Sequence, residues 1–379
     1  MACDESVVLR AREAAAELRR NAAATEEGLR PAAPSLAAVR EAGLLRLTVP
    51  RDAGGSGASA LTTLCAIVEL GQGCPSTAWV VALSTAQKLM LPDLLSGAAT
   101  AELFADPDAI VCESGNTGAV RGAMVPGGLR VNGHWPVVSG CEDASLGILL
   151  VPVPESAEGV VAILARIKDF TVERTWRVAG MAGSGSHALL ADQVFVPAAN
   201  VVSFAPVAGK PEPSPAGLLH EMLYTLGASL GATLAARDQV EALLNNGKAP
   251  FGTTYERIVD SPLARHWFTE ATQLADTALQ RCLTLAATLD AEGPRGAWPV
   301  RERSTARLSL ITAARECRQA MDLLLDLHGA SAFAQSNPIQ RLWRDVSVAT
   351  RHAQFSPYIT AEDYGRVRFD AGAPAMPLL

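Results

Sequence analysis

The stretch GLRVNGHWPVVSGCEDASLGILLVPV, Gly128 to Val153, is where the chain changes its period. Apolar residues alternate with polar ones, or run together in short β-branched blocks, between Gly, Pro, Asn and Asp. The stretch reads as a strand, an Asn-Gly turn, a second strand, a break at Ser139-Gly140, and a third strand. AIVCES, VVAILARI and LLADQVFV are further short β-type runs, so residues 106–205 make one β-domain. Residues 1–105 before it are helical. VVLRAREAAAELRRNAAATEEGLRP has apolar residues at three-to-four spacing, SLAAVREAGL follows, and LTTLCAIVELGQGCPSTAWVVALSTAQKLML reads as two helices broken at Gly71 to Pro75, the second capped by Ser76. After a Pro-rich linker, SFAPVAGKPEPSPAG, residues 216–379 carry four long periodic segments, the last PIQRLWRDVSVATRHAQFSPYI, and their Ala, Gly and Ser suit close packing in an up-down bundle. The fold class is therefore mainly α with a central β-domain, and a site is expected at the seam between that domain and the bundle.

The bulk numbers exclude several classes. With 379 residues, 49% apolar and 19% charged, the chain is globular and large enough for two or three cores. A net charge of −7 argues against nucleic acid. No apolar run reaches the roughly 18 residues of a membrane span. The N-terminal MACDESVVLRAREAAAELRR reads as a helix and not as a signal peptide, and seven scattered cysteines fit reduced thiols in a cytoplasmic protein without a zinc site.

Three segments could carry chemistry. In NPIQRLWRDVSVATRH, positions 341, 345, 348 and 352 share a helical face, Arg341 and Asp345 can pair, and His352 ends the stripe. His352 is either a capping histidine or a general base near neutral pH. Ser139, at a strand end beside glycine, is either part of a hairpin loop or a hydroxyl offered to a ligand. GMAGSGS, 180–186, is either a plain flexible loop or a cradle for a phosphate or flat ring. It is no Rossmann turn.

Three motifs together resemble the acyl-CoA dehydrogenase superfamily: Trp135-Pro-Val-Val-Ser139-Gly140; Gly180-Met-Ala-Gly-Ser-Gly-Ser186 with Val194-Phe-Val-Pro197; and Pro338-Ile-Gln-Arg-Leu-Trp-Arg-Asp345. The resemblance spans nearly the whole chain. It implies an N-terminal helical domain (1–105), a middle β-barrel (106–205) and a C-terminal four-helix bundle (216–379). In the dehydrogenases a glutamate stands eight residues after the Asp; here that position is Ala353, with His352 beside it. Arg-Asp followed by a histidine seven residues on is the pattern of the oxygenase components of two-component flavin-dependent monooxygenases, such as p-hydroxyphenylacetate hydroxylase, dibenzothiophene monooxygenase and amino-sugar nitrososynthases.

That resemblance implies reduced flavin, FADH2 or FMNH2, delivered by a separate flavin reductase, with O2 as co-substrate. A C4a-hydroperoxyflavin would hydroxylate or N-oxidise a small organic substrate of a biosynthetic pathway. Ser139 and His352 would be catalytic, and Trp135, Val138, Ser139, Gly183, Ser184 and Gly329 would contact the flavin, Gly329 from a neighbouring subunit of a homotetramer or dimer. Gln87, Cys112, Glu142 and Phe355 would line the substrate pocket. Gln87 stands where many such enzymes have a second histidine, and Glu142 opens a loop that usually continues His-Ala-Asp-Trp, so an atypical substrate is expected. The alternatives are an acyl-thioester dehydrogenase with its base elsewhere, and a flavin-less non-redox protein.

Overall fold

The N-terminal part of the chain is built on two helices that reach into the rest of the molecule. The computed structural model describes residues 3–156, 159–202, 216–247, 249–293 and 298–376. Helices α1 (Glu5–Arg20), α2 (Ala22–Gly28), α3 (Ala33–Glu41), α4 (Ala60–Gly73), α5 (Pro75–Met90) and α6 (Gly97–Leu103) form this part. The single helix expected over the first stretch is broken at Asn21, whose side chain turns back onto Glu17. Asp4 caps α1 and Ser59 caps α4. The cap expected of Ser76 is made by Cys74 instead, because Pro75 takes the first helical position and Ser76 is buried inside the helix.

The middle region is two four-stranded sheets. One has the order β1 (Ile110–Ser114), β4 (Ala144–Pro152), β5 (Val160–Arg166), β8 (Val201–Val202); the other has β2 (Ala119–Val125), β3 (Gly128–Val138), β7 (His187–Pro197), β6 (Thr171–Glu173). The barrel implied by the resemblance takes this two-sheet form, closed over a core that includes Leu129, Val131, Trp135, Leu149, Ile163 and Leu189. The Asn-Gly turn expected at 132–133 is absent: β3 runs straight through, and Gly133, at φ 142, only shifts its register against β7. A side chain at Gly133 would collide with the backbone of β2, which is why glycine stands there.

The C-terminal part holds α7 (Gly217–Asn245), α8 (Pro262–Glu292), α9 (Val300–His328), α10 (Pro338–Ala349) and α11 (Pro357–Phe369). The expected linker lies outside the described residues except for Ala216 and Gly217. Helix α7 is buried on nearly every side along its first five turns and runs through the centre of the molecule. Gly71 and Gly231 let α4 and α7 touch backbone to backbone, since a Cβ at either would overlap the opposite main chain. The fourth bundle segment is not one helix. It stops at Ala349, turns, and resumes as α11 at Pro357, which takes the first helical position. Arg307 and Asp363, both almost fully buried and 3.3 Å apart, lock α11 onto α9.

Candidate active site

Ser139, Trp79 and His352 come from the three parts of the chain and meet at their junction. Ser139 follows β3. Val137, just before it, has φ 59 and is 46% exposed, a strained conformation for a β-branched residue. Trp79 lies on α5 and donates from Nε1 to Ser139 Oγ at 3.3 Å. His352 packs edge-on against the Trp79 ring, with centroids 5.5 Å apart.

His352 is not the end of a helical stripe. Helix α10 ends three residues earlier, and His352 sits in the turn leading to Ala353–Phe355. Its side chain is open to solvent on one side and walled by protein on the others. That wall disfavours the charged ring and lowers its pKa from the usual histidine value. The ring makes no hydrogen bond to a described residue, so both its nitrogens are left for a ligand.

The Arg341–Asp345 pair expected on α10 does not form. Arg341 lies 3.9 Å from Glu26 of α2. Asp345 is buried and accepts the Met181 N–H at 2.5 Å. Burial raises its pKa to about 7. Arg344 bonds Glu26 and the Ala179 carbonyl. GMAGSGS is thus clamped between α2 and α10, and is not a flexible cradle. Gly180 lies against the Arg344 backbone and Gly183 against Thr25, so their lack of a Cβ serves packing. Any flavin contact of Gly183 would be through its backbone.

Ser184 is buried too, and turns inward to a chain of hydroxyls. Ser184 Oγ donates to the Met181 carbonyl at 2.7 Å, Ser184 and Ser186 are 2.7 Å apart, and Ser186 and Ser139 are 2.7 Å apart. The ends of this chain fix its direction. The Trp79 N–H can only donate and the Met181 carbonyl can only accept. Ser139 therefore donates to Ser186 and Ser186 to Ser184. Ser139, which is half-buried, keeps one free lone pair facing outward.

The other expected site residues lie away from this junction. Trp135 is buried in the sheet core with Nε1 on the Leu150 carbonyl, and Val138 shares that core, so only their backbone is left for a ligand. Cys112 points between the two sheets. Phe355 packs in the helical core. Glu142 is held at the surface by Arg174 at 2.9 and 2.8 Å, with His187 at 3.5 Å. Gly329 caps α9 in open space at φ 78. Gln87 is buried on α5, bonded to Glu113, and 3.5 Å from Glu221.

Trp79, Ser186, Glu113, Glu221 and Gln354 were not singled out from sequence. The signal for Trp79 and Glu113 was present: Trp79 is the only aromatic on α5, and Glu113 is a carboxylate inside an apolar strand.

Residues 5–102 match the family model of the acyl-CoA dehydrogenase N-terminal domain, and residues 224–357 match that of the C-terminal domain. The chain is 30% identical to the oxygenase component of an FADH(2)-dependent resorcinol hydroxylase from Rhizobium sp., covering 88% of this chain and 87% of the relative. It is 29% identical to the flavin-dependent monooxygenase oxygenase subunit HsaA of Rhodococcus jostii, over 93% of this chain and 95% of that one. The solved structure of XiaF from Streptomyces sp., in complex with FADH2 and glycerol, superposes with a TM-score of 0.90 at 29% identity, over 99% of this chain and 97% of the other.

Proposed function

The chain belongs to the acyl-CoA dehydrogenase superfamily, in its branch of flavin-dependent monooxygenase oxygenase components, and from that premise we propose that it uses reduced flavin and O2 to hydroxylate or N-oxidise a small organic molecule held between α5 and α7. The observation that carries the reading is the meeting of Ser139, Trp79 and His352.

The residues present fit a flavin ring. The end of β3 leaves Val137 exposed, and the half-buried Ser139 beside it keeps an acceptor lone pair for a ligand. Reduced flavin carries an N–H at N5 that the oxidised ring lacks, so an acceptor there favours the reduced form. When bound, reduced flavin with O2 supplies an electrophilic oxygen as a C4a-hydroperoxide. Ser139 holds and orients the ring by accepting its N–H. Ser186 and Ser184 keep the Ser139 proton turned inward. Trp79 fixes Ser139 from the other side and closes the apolar wall against water. His352 takes a proton from the substrate hydroxyl or amine, which makes that group a better nucleophile. A lowered pKa suits this role, because the ring is unprotonated at neutral pH.

A separate reductase supplies the flavin, as the relatives' description as oxygenase components supports. The assembly is a homotetramer or dimer in which the Gly329 turn meets the neighbouring subunit's flavin. FAD is the first candidate, since the resorcinol hydroxylase is FADH2-dependent.

Equilibrium dialysis under anaerobic conditions tests the reading. Reduced FAD or FMN should bind more tightly than its oxidised form. A second reading, acyl-thioester dehydrogenase, draws on one observation: Glu221 on α7 is an enclosed carboxyl that could serve as the base missing at Ala353. It expects tightly retained oxidised FAD that is bleached by an acyl thioester. Binding of neither form would remove both.

A further inference from the structure

Two turns along α5 from Trp79, the gap between α5 and α7 has a different lining. Gln87 of α5, Glu113 of β1 and Glu221 of α7 converge there. Glu113 lies on the face of β1 opposite Cys112, so it leaves the sheet and points at α5. Gln87 Nε2 donates to Glu113 and lies 3.5 Å from Glu221 Oε2. The two carboxyls thus bracket a single amide nitrogen. Both side chains are only partly exposed, enclosed where α5, β1 and α7 meet.

Two carboxyls that bracket one amide nitrogen repel each other's charge, which favours a single negative charge on the pair. Both have raised pKa values, mainly because protein displaces water around them and, for Glu113, because Glu221 is charged. Among the described residues, no Arg or Lys forms an ion pair with either carboxyl, and a charge enclosed without a counter-ion is costly.

A second observation points to what would complete them. Gln354 is nine-tenths buried and donates from Nε2 to Thr225 Oγ1 at 2.8 Å. Thr225 lies one turn beyond Glu221 on the same face of α7. Gln354 Oε1 has no partner. Gln354 is thus tied through Thr225 to the turn of α7 that carries Glu221 and adds an unpaired acceptor there, while Gln87 is the one donor that reaches the two carboxyls among the described residues. A metal ion is a poor match, since no group of three His, Cys, Asp or Glu able to hold one occurs among the described residues.

We propose that Glu113 and Glu221, positioned by Gln87, form the subsite that receives a cationic amine of the substrate. An ammonium group brings one positive charge and several N–H donors, which matches what this end of the gap lacks. The eight residues from Trp79 to Gln87 span about 12 Å of helix. The substrate is thus an elongated molecule whose basic nitrogen sits about that far from the group oxidised beside His352. The subsite's link to oxidation rests on the oxygenase reading; the binding claim does not.

The test is calorimetric binding to the full chain, without flavin, of phenols bearing a four-carbon arm that ends in an amine, an alcohol or a carboxylate. The amine should bind about tenfold more tightly than the alcohol, and the carboxylate should bind weakest. Glu113→Gln with Glu221→Gln should bring the three to within a few-fold of one another, with unchanged circular dichroism. Equal affinities in the wild-type chain, preference for the carboxylate, or no binding of the amine would overturn the proposal; so would an amine preference that survives the double substitution. Because neither flavin nor O2 is present, a failed flavin experiment leaves this result standing, and the reverse holds too.

Discussion

One gap between α5 and α7 treats its two ends in opposite ways. At the Trp79 end, enclosure lowers the pKa of His352 and keeps it neutral. At the Gln87 end, the same enclosure raises Glu113 and Glu221. Both shifts have one cause, the cost of charge where water is scarce. The difference teaches how one cavity can divide its work. On the proposed reading, the first end holds a proton acceptor beside the reacting group, and the second keeps a negative charge for recognition.

The sharpest way to break this comparison is His352→Asn. Product formation should fall by about 10²- to 10⁴-fold, the usual worth of a general base. With His352 present, the rate should hold from neutral pH down to the ordinary histidine value and fall only below it, because the lowered pKa delays protonation. A rate that falls already above that value would assign the base elsewhere.

Next in size is the support under the first end. Asp345→Ala leaves the buried Met181 N–H without an acceptor and should cost about 1–3 kcal/mol in denaturant unfolding. Asp345→Asn should cost less, since its Oδ1 can still accept. The sign of the pH effect follows from the raised value. The fold prefers the protonated carboxyl, so the Asp345 contribution weakens as pH rises from its unfolded value to about 7, then levels off. The Asn variant should lose that slope.

Ser186→Ala should have a smaller effect, about a few-fold. It frees the Ser139 proton, so the preference for reduced over oxidised flavin should shrink in anaerobic dialysis. An unchanged ratio would disconnect the hydroxyl chain from flavin choice. Smallest is Val137→Gly. Releasing the positive φ should stabilise the fold by up to about 1 kcal/mol, seen as a higher melting temperature.

The two ends also differ in how far they could be read from sequence. Ser139 and His352 stand in contiguous motifs and were legible by resemblance. Glu113, Glu221 and Gln87 come from three distant segments, and nothing local brings them together. Cys112 was expected in the pocket and Glu113 was not, because strand alternation turns neighbours to opposite faces. Trp135 and Phe355 were expected to line ligands, but large aromatics are drawn into cores. The glycines of GMAGSGS suggested flexibility where they serve close packing. The order of helical, β and helical regions was plain from periodicity. Short elements such as α6, β2, β6 and β8 were missed, since a few residues carry little periodic signal. The last bundle segment is two helices, α10 ending at Ala349 and α11 opening at Pro357, a proline position that marks a helix start.

The oxygenase claim meets its most direct test in stopped-flow mixing of the anaerobic, reduced-flavin complex with oxygenated buffer. The account predicts a long-lived flavin–oxygen adduct seen by absorbance, with a lifetime shortened by Ser139→Ala. Immediate reoxidation to oxidised flavin with no intermediate would contradict it.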